Sequence, residues 1–129
     1  MAETLKFTKD HLWVRVEGTH AQVGLSEYAQ GELGEVITVE LPDLGDELER
    51  WEPFGELESV RTVSELATPV SGTVTATNID LEDQPTLVNE DPYHEGWLIE
   101  IELSNLEELE DLMDPDEYEE FVAEQEKRE

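Results

Sequence analysis

The chain has 129 residues, the length of one domain, and its 35 acidic and 7 basic residues give a formal net charge of −28. A charge this negative repels phosphate backbones, which excludes nucleic acid as an expected partner. Cysteine is absent, which excludes disulfides and thiol chemistry, and no apolar run approaches the ~18 residues of a membrane span, so we expect a soluble, cytoplasmic protein without a membrane partner.

Short strand patterns dominate residues 1–103. The early strands are marked by Leu5, Phe7, Trp13, Val14, Val16, Ala21, Val23 and Leu25. A short internal helix follows, because Ser26 can cap its start and Gly34 can close its end. The β-branched run 35–41 then predicts a further strand.

Residues 56–72 read ELESVRTVSELATPVSG and predict a hairpin with a lone cation, Arg61, near its tip. The β-rich runs 54–60 and 66–70 flank this arginine. Later strands are predicted at 72–78 and 97–103. Short strands separated by glycine and proline are typical of a compact sandwich or barrel.

The segment 79–97 is rich in turn formers and long for a loop, so we expect it to have a use or to dock on the body. A helical C-terminal segment of about 104–125 follows, in which Ser104 and Glu107 predict a capping box. Pro115 predicts the first position of a second helix. Two apolar stripes are interpreted as core contacts: Leu106, Leu109 and Leu112, then Tyr118, Phe121 and Val122.

No motif in the sequence indicates an enzyme. The three histidines (His11, His20 and His94) lack the spacing of a helical metal site, so no metal is predicted. There is no phosphate loop and no nucleophile elbow, and the carboxylates are too numerous to single out a catalytic pair. The alternative function from the enzyme class is a hydrolase or metal enzyme built from the acidic segment 79–97. No metal-ligand spacing and no nucleophile in the sequence supports it.

Four stretches resemble, in order, the H protein of the glycine cleavage system, a lipoyl-domain family. They are FTKDHLWVRVEG (7–18), VGLSEYAQGELGEVITVELPDLGDELE (23–49), ESVRTVSELATPVSGTV (58–74) and LVNEDPYHEGWLIEIEL (87–103). The helical tail is similar too, so the resemblance covers almost the whole chain. It implies one mainly β domain over residues 1–129, a lipoyl/biotinyl-type β-sandwich (barrel-sandwich hybrid) with a short internal helix and C-terminal helices.

The resemblance implies a carrier protein of a multienzyme system with no catalysis of its own. Members of this family carry lipoic acid on a lysine at the hairpin tip, where a lipoyl transferase or ligase attaches it. The arm shuttles an aminomethyl group from glycine decarboxylase, which uses pyridoxal phosphate. It then visits the folate-dependent aminomethyltransferase and dihydrolipoyl dehydrogenase, so these enzymes are the expected partners.

The carrier position departs from the family pattern. The family reads E-S-V-K-A, and this chain has Glu58, Ser59, Val60, Arg61 and Thr62, so Arg61 stands where the lysine is expected. Lipoylation needs an amine that can lose a proton, whereas a guanidinium stays protonated and delocalised. No lysine lies between residues 10 and 126 to replace it. We therefore expect no lipoyl cofactor on this chain.

A second departure lies near the N-terminus. The family reads S-H-E-W, with a glutamate that helps to hold the loaded arm, and Leu12 replaces that glutamate here. Glu65 keeps an acid after the hairpin, and Trp51 stands where glycine is common, either as a contact residue or packed on a neighbouring strand. The resemblance thus implies these site positions: Glu58, Ser59, Val60, Arg61, Glu65, His11 and Leu12.

Two interpretations of Arg61 stay open. The chain is a naturally diverged, non-lipoylated homologue that acts as a binding or regulatory module. Alternatively, it is a true H-protein shuttle seen as a lysine-to-arginine variant, natural or engineered, whose lipoylation is blocked. As a surface cation, Arg61 is expected to pair weakly with Glu58 or Glu65, or to anchor an acidic partner.

Overall fold

A computed structural model describes residues 4–128 and places nine strands in this part of the chain. The strands are β1 (Thr4–Phe7), β2 (Leu12–Glu17), β3 (His20–Leu25), β4 (Val36–Glu40), β5 (Glu47–Leu48), β6 (Pro53–Ser59), β7 (Val63–Ala67), β8 (Gly72–Thr77) and β9 (Ile99–Leu103). The helices are α1 (Glu27–Leu33), α2 (Asp80–Asp83), α3 (Leu87–Glu90), a 3-10 helix (Leu106–Asp111) and α4 (Pro115–Arg128).

The strands form two antiparallel sheets. One has six strands in the order β1-β2-β3-β9-β8-β5, and the other has three in the order β4-β6-β7. Inward-facing side chains of both sheets share one hydrophobic core, to which the large sheet contributes the buried Val23 and Ile101 and the small sheet the buried Leu57. The predicted mainly β sandwich with an internal helix and a C-terminal helix is confirmed.

A smaller aromatic cluster, made by Phe7, Trp13 and Tyr118, anchors α4 to the six-stranded sheet. The Phe7 and Tyr118 rings stack with centroids 4.2 Å apart, and the fully buried Trp13 donates its indole N–H to the Pro92 carbonyl at 2.8 Å. Tyr118 is buried, and Phe121 and Val122 pack on the cluster, as predicted for this helix face.

The caps of α1 are confirmed, while the predicted capping box at Ser104 is wrong. The Ser26 hydroxyl accepts the Ala29 N–H at 3.2 Å, and Gly34 closes α1. At the tail, Asn105 rather than Ser104 accepts the Glu107 N–H, at 3.0 Å, and the element is a 3-10 helix. The Ser104 N–H donates to the Ser71 carbonyl at 3.1 Å, so it is not available to a glutamate side chain as a capping box requires.

The capping box lies one helix later. The Asp114 carboxylate accepts the Glu117 N–H at 2.8 Å, and the Glu117 carboxylate accepts the Asp114 N–H at 3.2 Å. Pro115 takes the first position of α4, as predicted. The core-contact interpretation fails for Leu106, which is 51% exposed, but holds for the buried Leu112.

The segment 79–97 docks on the body, as expected, but it is not a plain loop. It contains α2 and α3, whose Leu81 and Val88 are buried in the core. Neither helix start has a side-chain cap hydrogen bond, although Thr86 before α3 is a residue of the capping type, and each helix has only four residues. Within residues 4–128, no helix combines the length and the apolar character needed to cross a membrane.

Candidate functional site at the hairpin

The tip between β6 and β7 is built by Ser59. Its N–H donates to the Thr62 carbonyl at 2.8 Å, which closes the turn over Val60 and Arg61. Its buried hydroxyl accepts the N–H groups of Arg61 and Thr62 at 3.2 and 3.3 Å. None of these contacts uses the side chain of residue 61, so they do not require an arginine there.

The Arg61 side chain crosses to the end of α1. One guanidinium nitrogen, Nη1, donates to the Glu32 carbonyl at 2.9 Å and to the Gly31 carbonyl at 3.3 Å. A cation is favourable there, because the last carbonyls of a helix carry partial negative charge. Among the described residues no ion pair within 4.0 Å joins Arg61 to Glu58 or Glu65, so the predicted pairing is wrong: the guanidinium binds helix carbonyls instead.

Gly34 lets the tip lie directly on the end of α1. Its φ of +77° is in the region that favours glycine, and a Cβ there would lie 3.1 Å from the Val60 Cγ2 and 3.4 Å from the Arg61 Nε. The Val60 N–H donates to the Glu35 carbonyl at 3.0 Å, although the Val60 side chain is 60% exposed. The tip is therefore held against α1 at both backbone and side-chain level.

A groove of about 370 Å³ runs between α1 and the hairpin, and we call it the hairpin groove. Three predicted site residues line it together: His11, Leu12 and Glu65. The other side chains that line it are Asp10, Leu25, Ala29, Glu32, Leu33, Ser64, Leu66 and Ala67. Glu58, Ser59 and Val60 lie in the hairpin but do not line the groove, and Arg61 lies at the tip.

Leu12 forms part of the apolar floor of the hairpin groove. Only 3% of its surface is exposed, and Leu25 and Leu66 beside it are each 4% exposed. The acids of the groove, such as Glu65, are exposed. The position at which the family resemblance expects an arm-holding carboxylate is thus apolar here and part of the packed core.

His11 connects the hairpin groove to α4. Its Nδ1 lies 2.9 Å from the Tyr118 hydroxyl, and its Nε2 lies 3.2 Å from the Gln125 side-chain oxygen. Burial lowers the pKa of His11 from its usual 6.5, against the opposing effect of the Gln125 hydrogen bond. A neutral ring fits both contacts, because Tyr118 can then donate to Nδ1 while Nε2–H donates to Gln125.

Tyr118 is a site-supporting residue that sequence reasoning assigned only to the core. Its hydroxyl lies 2.6 Å from the Ser26 hydroxyl, so one phenol joins α4, the start of α1 and His11. Burial raises the pKa of Tyr118 to about 12, which keeps it a neutral hydrogen-bonding group. Its position in an apolar stripe signalled burial, but no local pattern signalled the polar partners.

Trp51 is half exposed and borders a cavity that Phe7 of β1 also lines. The residue is 47% exposed, and its ring lies under the Arg50 guanidinium, 4.8 Å from the ring centroid. Its φ is +70°, in the left-handed region that favours glycine. Arg50 is fixed in turn by Asp111, at 2.9 Å.

The polar side chains of 79–97 serve structure. Asn89 accepts the Val36 N–H at 2.9 Å and donates to the Gly34 carbonyl at 2.7 Å, which ties the segment to the end of α1. Asn78 just before it donates to the Glu95 and Trp97 carbonyls. In the described part of the chain, no group of three or more histidine, aspartate or glutamate side chains is placed to hold a metal ion.

Comparisons with known proteins agree with this architecture. A family model described as "Glycine cleavage H-protein" matches residues 5–125. The chain is 50% identical to the glycine cleavage system H protein of Staphylococcus haemolyticus over 120 residues, which is 93% of this chain and 95% of that protein. It is also 50% identical to the one from Halalkalibacterium halodurans over 121 residues, 94% of each chain.

A solved structure shows the same arrangement. The crystal structure of a glycine cleavage system H protein from Mycobacterium marinum matches with a TM-score of 0.83 at 28% identity. The match covers 97% of this chain and 98% of that one. Both sheets and the helices that frame the hairpin therefore belong to a known arrangement.

Proposed function

The chain belongs to the glycine cleavage H-protein family, and we propose that it acts there as a non-lipoylated binding or regulatory module. Arg61 at the tip of the β6–β7 hairpin is the observation that carries this proposal. Its guanidinium is held on the Gly31 and Glu32 carbonyls. The chain would then bind enzymes of the system without carrying the group that they exchange.

The residues at the hairpin tip do not fit lipoate. In the family this group supplies the arm that carries an aminomethyl unit, and its attachment needs a nucleophilic amine. A guanidinium is delocalised and is not a nucleophile, so Arg61 cannot attack an activated acyl group. Lys6 in β1 and Lys9 just after it are outside the hairpin, so they offer no replacement there.

The hairpin groove supports the same interpretation. Its floor is apolar at Leu12, so this position offers no carboxylate to hold an amine. The hairpin, the groove and the helices around them are nevertheless formed. We infer that the chain can dock on partners of the family in the cytoplasm (glycine decarboxylase, aminomethyltransferase, dihydrolipoyl dehydrogenase or a lipoyl ligase) and compete there with a lipoylated carrier.

A true shuttle seen as a lysine-to-arginine variant is the second candidate. It is favoured by the way Ser59 and Gly34 shape the tip, because neither contact requires an arginine at position 61. The 50% identity to H proteins over almost the whole chain also fits this candidate. The two candidates differ in what happens when a lysine is placed at position 61.

Intact mass separates them. The wild-type chain, Arg61→Lys and the control Arg50→Lys would each be co-expressed with lipoate and a lipoyl ligase. We expect no lipoyl adduct on the wild-type chain or the control; an adduct on the wild-type chain would overturn the proposal. If Arg61→Lys gains the adduct and supports glycine cleavage, the shuttle candidate is favoured. If it does neither, that candidate is excluded.

A further inference from the structure

The outer face of the β4-β6-β7 sheet carries apolar side chains in the open. Val63 in β7 is 58% exposed and Ile37, at the bulge of β4, is 43% exposed. Val60 at the tip is 60% exposed. Scattered single exposures are ordinary, but these three lie at the same end of one small sheet, which is the pattern of an interaction surface.

A row of glutamates crosses the same face. Glu40 pairs with Glu56 across β4 and β6, and Glu56 pairs with Glu65 across β6 and β7. Glu58 stands in the neighbouring row, opposite Val63. Directly opposite side chains lie about 4.5–5.5 Å apart at Cβ, and like charges there destabilise a sheet. Within the described residues, no basic side chain forms an ion pair with these four glutamates.

We propose that this outer sheet face docks a protein partner whose surface presents an apolar spot surrounded by lysine and arginine. The apolar contribution comes from Ile37 and Val63, and the charged contribution from the row Glu40, Glu56 and Glu65. A partner with basic residues would relieve the repulsion along the row and bury the aliphatic side chains, so charge and shape complementarity favour the same occupant.

Charge also disfavours a second copy of this chain as the molecule that binds this face. A second copy would bring one chain of net charge −28 against another, with glutamates facing glutamates if the same face were used on both. The surface is separate from the hairpin groove except at Glu65, which borders both. This inference rests on the proposed function, because the partners to be tested are the enzymes of the glycine cleavage system.

The test compares two triple variants with the same change in net charge. Glu40→Gln/Glu56→Gln/Glu65→Gln neutralises the row on the proposed surface. The control, Glu47→Gln/Glu49→Gln/Glu102→Gln, neutralises exposed acids in and beside β5 and in β9, strands of the other sheet. Association with glycine decarboxylase, aminomethyltransferase and dihydrolipoyl dehydrogenase, each tested separately, is followed at low ionic strength.

For each enzyme that binds the wild-type chain, we expect the Glu40/Glu56/Glu65 triple variant to associate about tenfold more slowly than the control. Its urea midpoint should rise, because repulsion is removed, which shows that lost binding is not lost folding. Ile37→Thr/Val63→Thr should raise the dissociation rate. Equal association rates for the two triple variants would overturn this surface and leave the proposed function standing. Failure of the wild-type chain to bind any of these three enzymes or a lipoyl ligase would overturn both.

Discussion

Hydrogen bonds within the chain hold both the aromatic cluster and the hairpin tip, but the cluster buries its side chains whereas the tip exposes them. Around Trp13 and Tyr118 the rings are buried, and each polar atom described above has a partner within the chain. At the tip, Val60, Arg61 and Thr62 are exposed: the Ser59 hydroxyl holds the backbone, and the Arg61 side chain contacts the α1 carbonyls in the open. The first region fixes how α4 sits on the sheet. The second presents side chains to the outside on a rigid frame.

The difference teaches where substitutions are tolerated. A buried ring or a shared hydroxyl cannot change without leaving a cavity or an unpaired polar atom. An exposed side chain on a turn set by Ser59 can change with little effect on folding. Stability should therefore respond strongly to changes in the cluster and weakly to changes at the tip, and the following predictions test that contrast.

Trp13→Ala should have the largest effect. Its ring is fully buried, its N–H is bonded to the Pro92 carbonyl, and Gly24 leaves room for it, since a Cβ at Gly24 would lie 2.5 Å from the ring. We expect a loss of about 3–5 kcal/mol in the free energy of unfolding, measured by urea denaturation. Val60→Ala is the matched change at the tip. If the two variants lost equal stability, the contrast would be broken.

Tyr118→Phe should come next. It keeps the stacking on Phe7 but removes the hydroxyl that serves both Ser26 and His11. We expect about 1–2 kcal/mol less stability, because the Ser26 hydroxyl and His11 Nδ1 each lose one hydrogen-bond partner. Urea denaturation again measures it. Unchanged stability would show that water replaces the phenol, and that the cluster depends on packing alone.

The pH dependence of stability tests His11. Its pKa is lowered by burial in the folded chain, so the unfolded chain binds this proton more readily. The contribution of the neutral ring is complete above pH 6.5, the usual value, and is lost as pH falls below it. His11→Asn can keep the φ of +69° and should remove this part of the pH dependence.

The measurement for His11 is the difference in unfolding free energy between wild type and His11→Asn, followed from pH 7.5 down to about 5. Carboxylates titrate in both proteins, and their contribution cancels in the difference. The wild type should lose stability relative to the variant as pH falls. A constant difference over this range would contradict the prediction.

Arg61→Ala should have the smallest effect. The side chain is exposed, and its two hydrogen bonds to the α1 carbonyls are open to solvent. We expect a loss of about 0.5 kcal/mol, within the range for a cation at a helix end, and less of it at high salt. A loss as large as that of Tyr118→Phe would mean that Arg61 is retained for folding, which would weaken its use as evidence about function.

Most of the fold could be predicted where local signals are complete. Ser26 and Gly34 bracket α1, and the β-rich runs around Arg61 give the hairpin, because caps and strand patterns act over a few residues. The helices inside 79–97 were not predicted, since they are short and lack side-chain caps. The local pattern favours Ser104 over Asn105 as the cap, because it does not show the backbone bond between Ser104 and Ser71, which are far apart in the chain.

Three of the seven predicted site positions lie together in the hairpin groove, and the contacts that they make could not be predicted. His11, Leu12 and Glu65 do line one groove, yet the sequence could not show that Leu12 is its floor. It also gave no sign that Arg61 binds helix carbonyls rather than glutamates, because that contact joins segments about 30 positions apart. Such roles depend on how the hairpin lies on α1, which tertiary packing decides.

Because Ser59 holds the backbone of the turn, the residue at position 61 can change during evolution without loss of the fold. Some arginine codons differ from a lysine codon by a single nucleotide, and a tip whose backbone is held by Ser59 does not require an arginine for its shape. One point mutation could therefore separate a loaded carrier from an unloaded one in a gene that still encodes the same scaffold. In a duplicated gene the change could occur in either direction. Selection would then act on whether the chain is lipoylated, because the stability of the fold would hardly change.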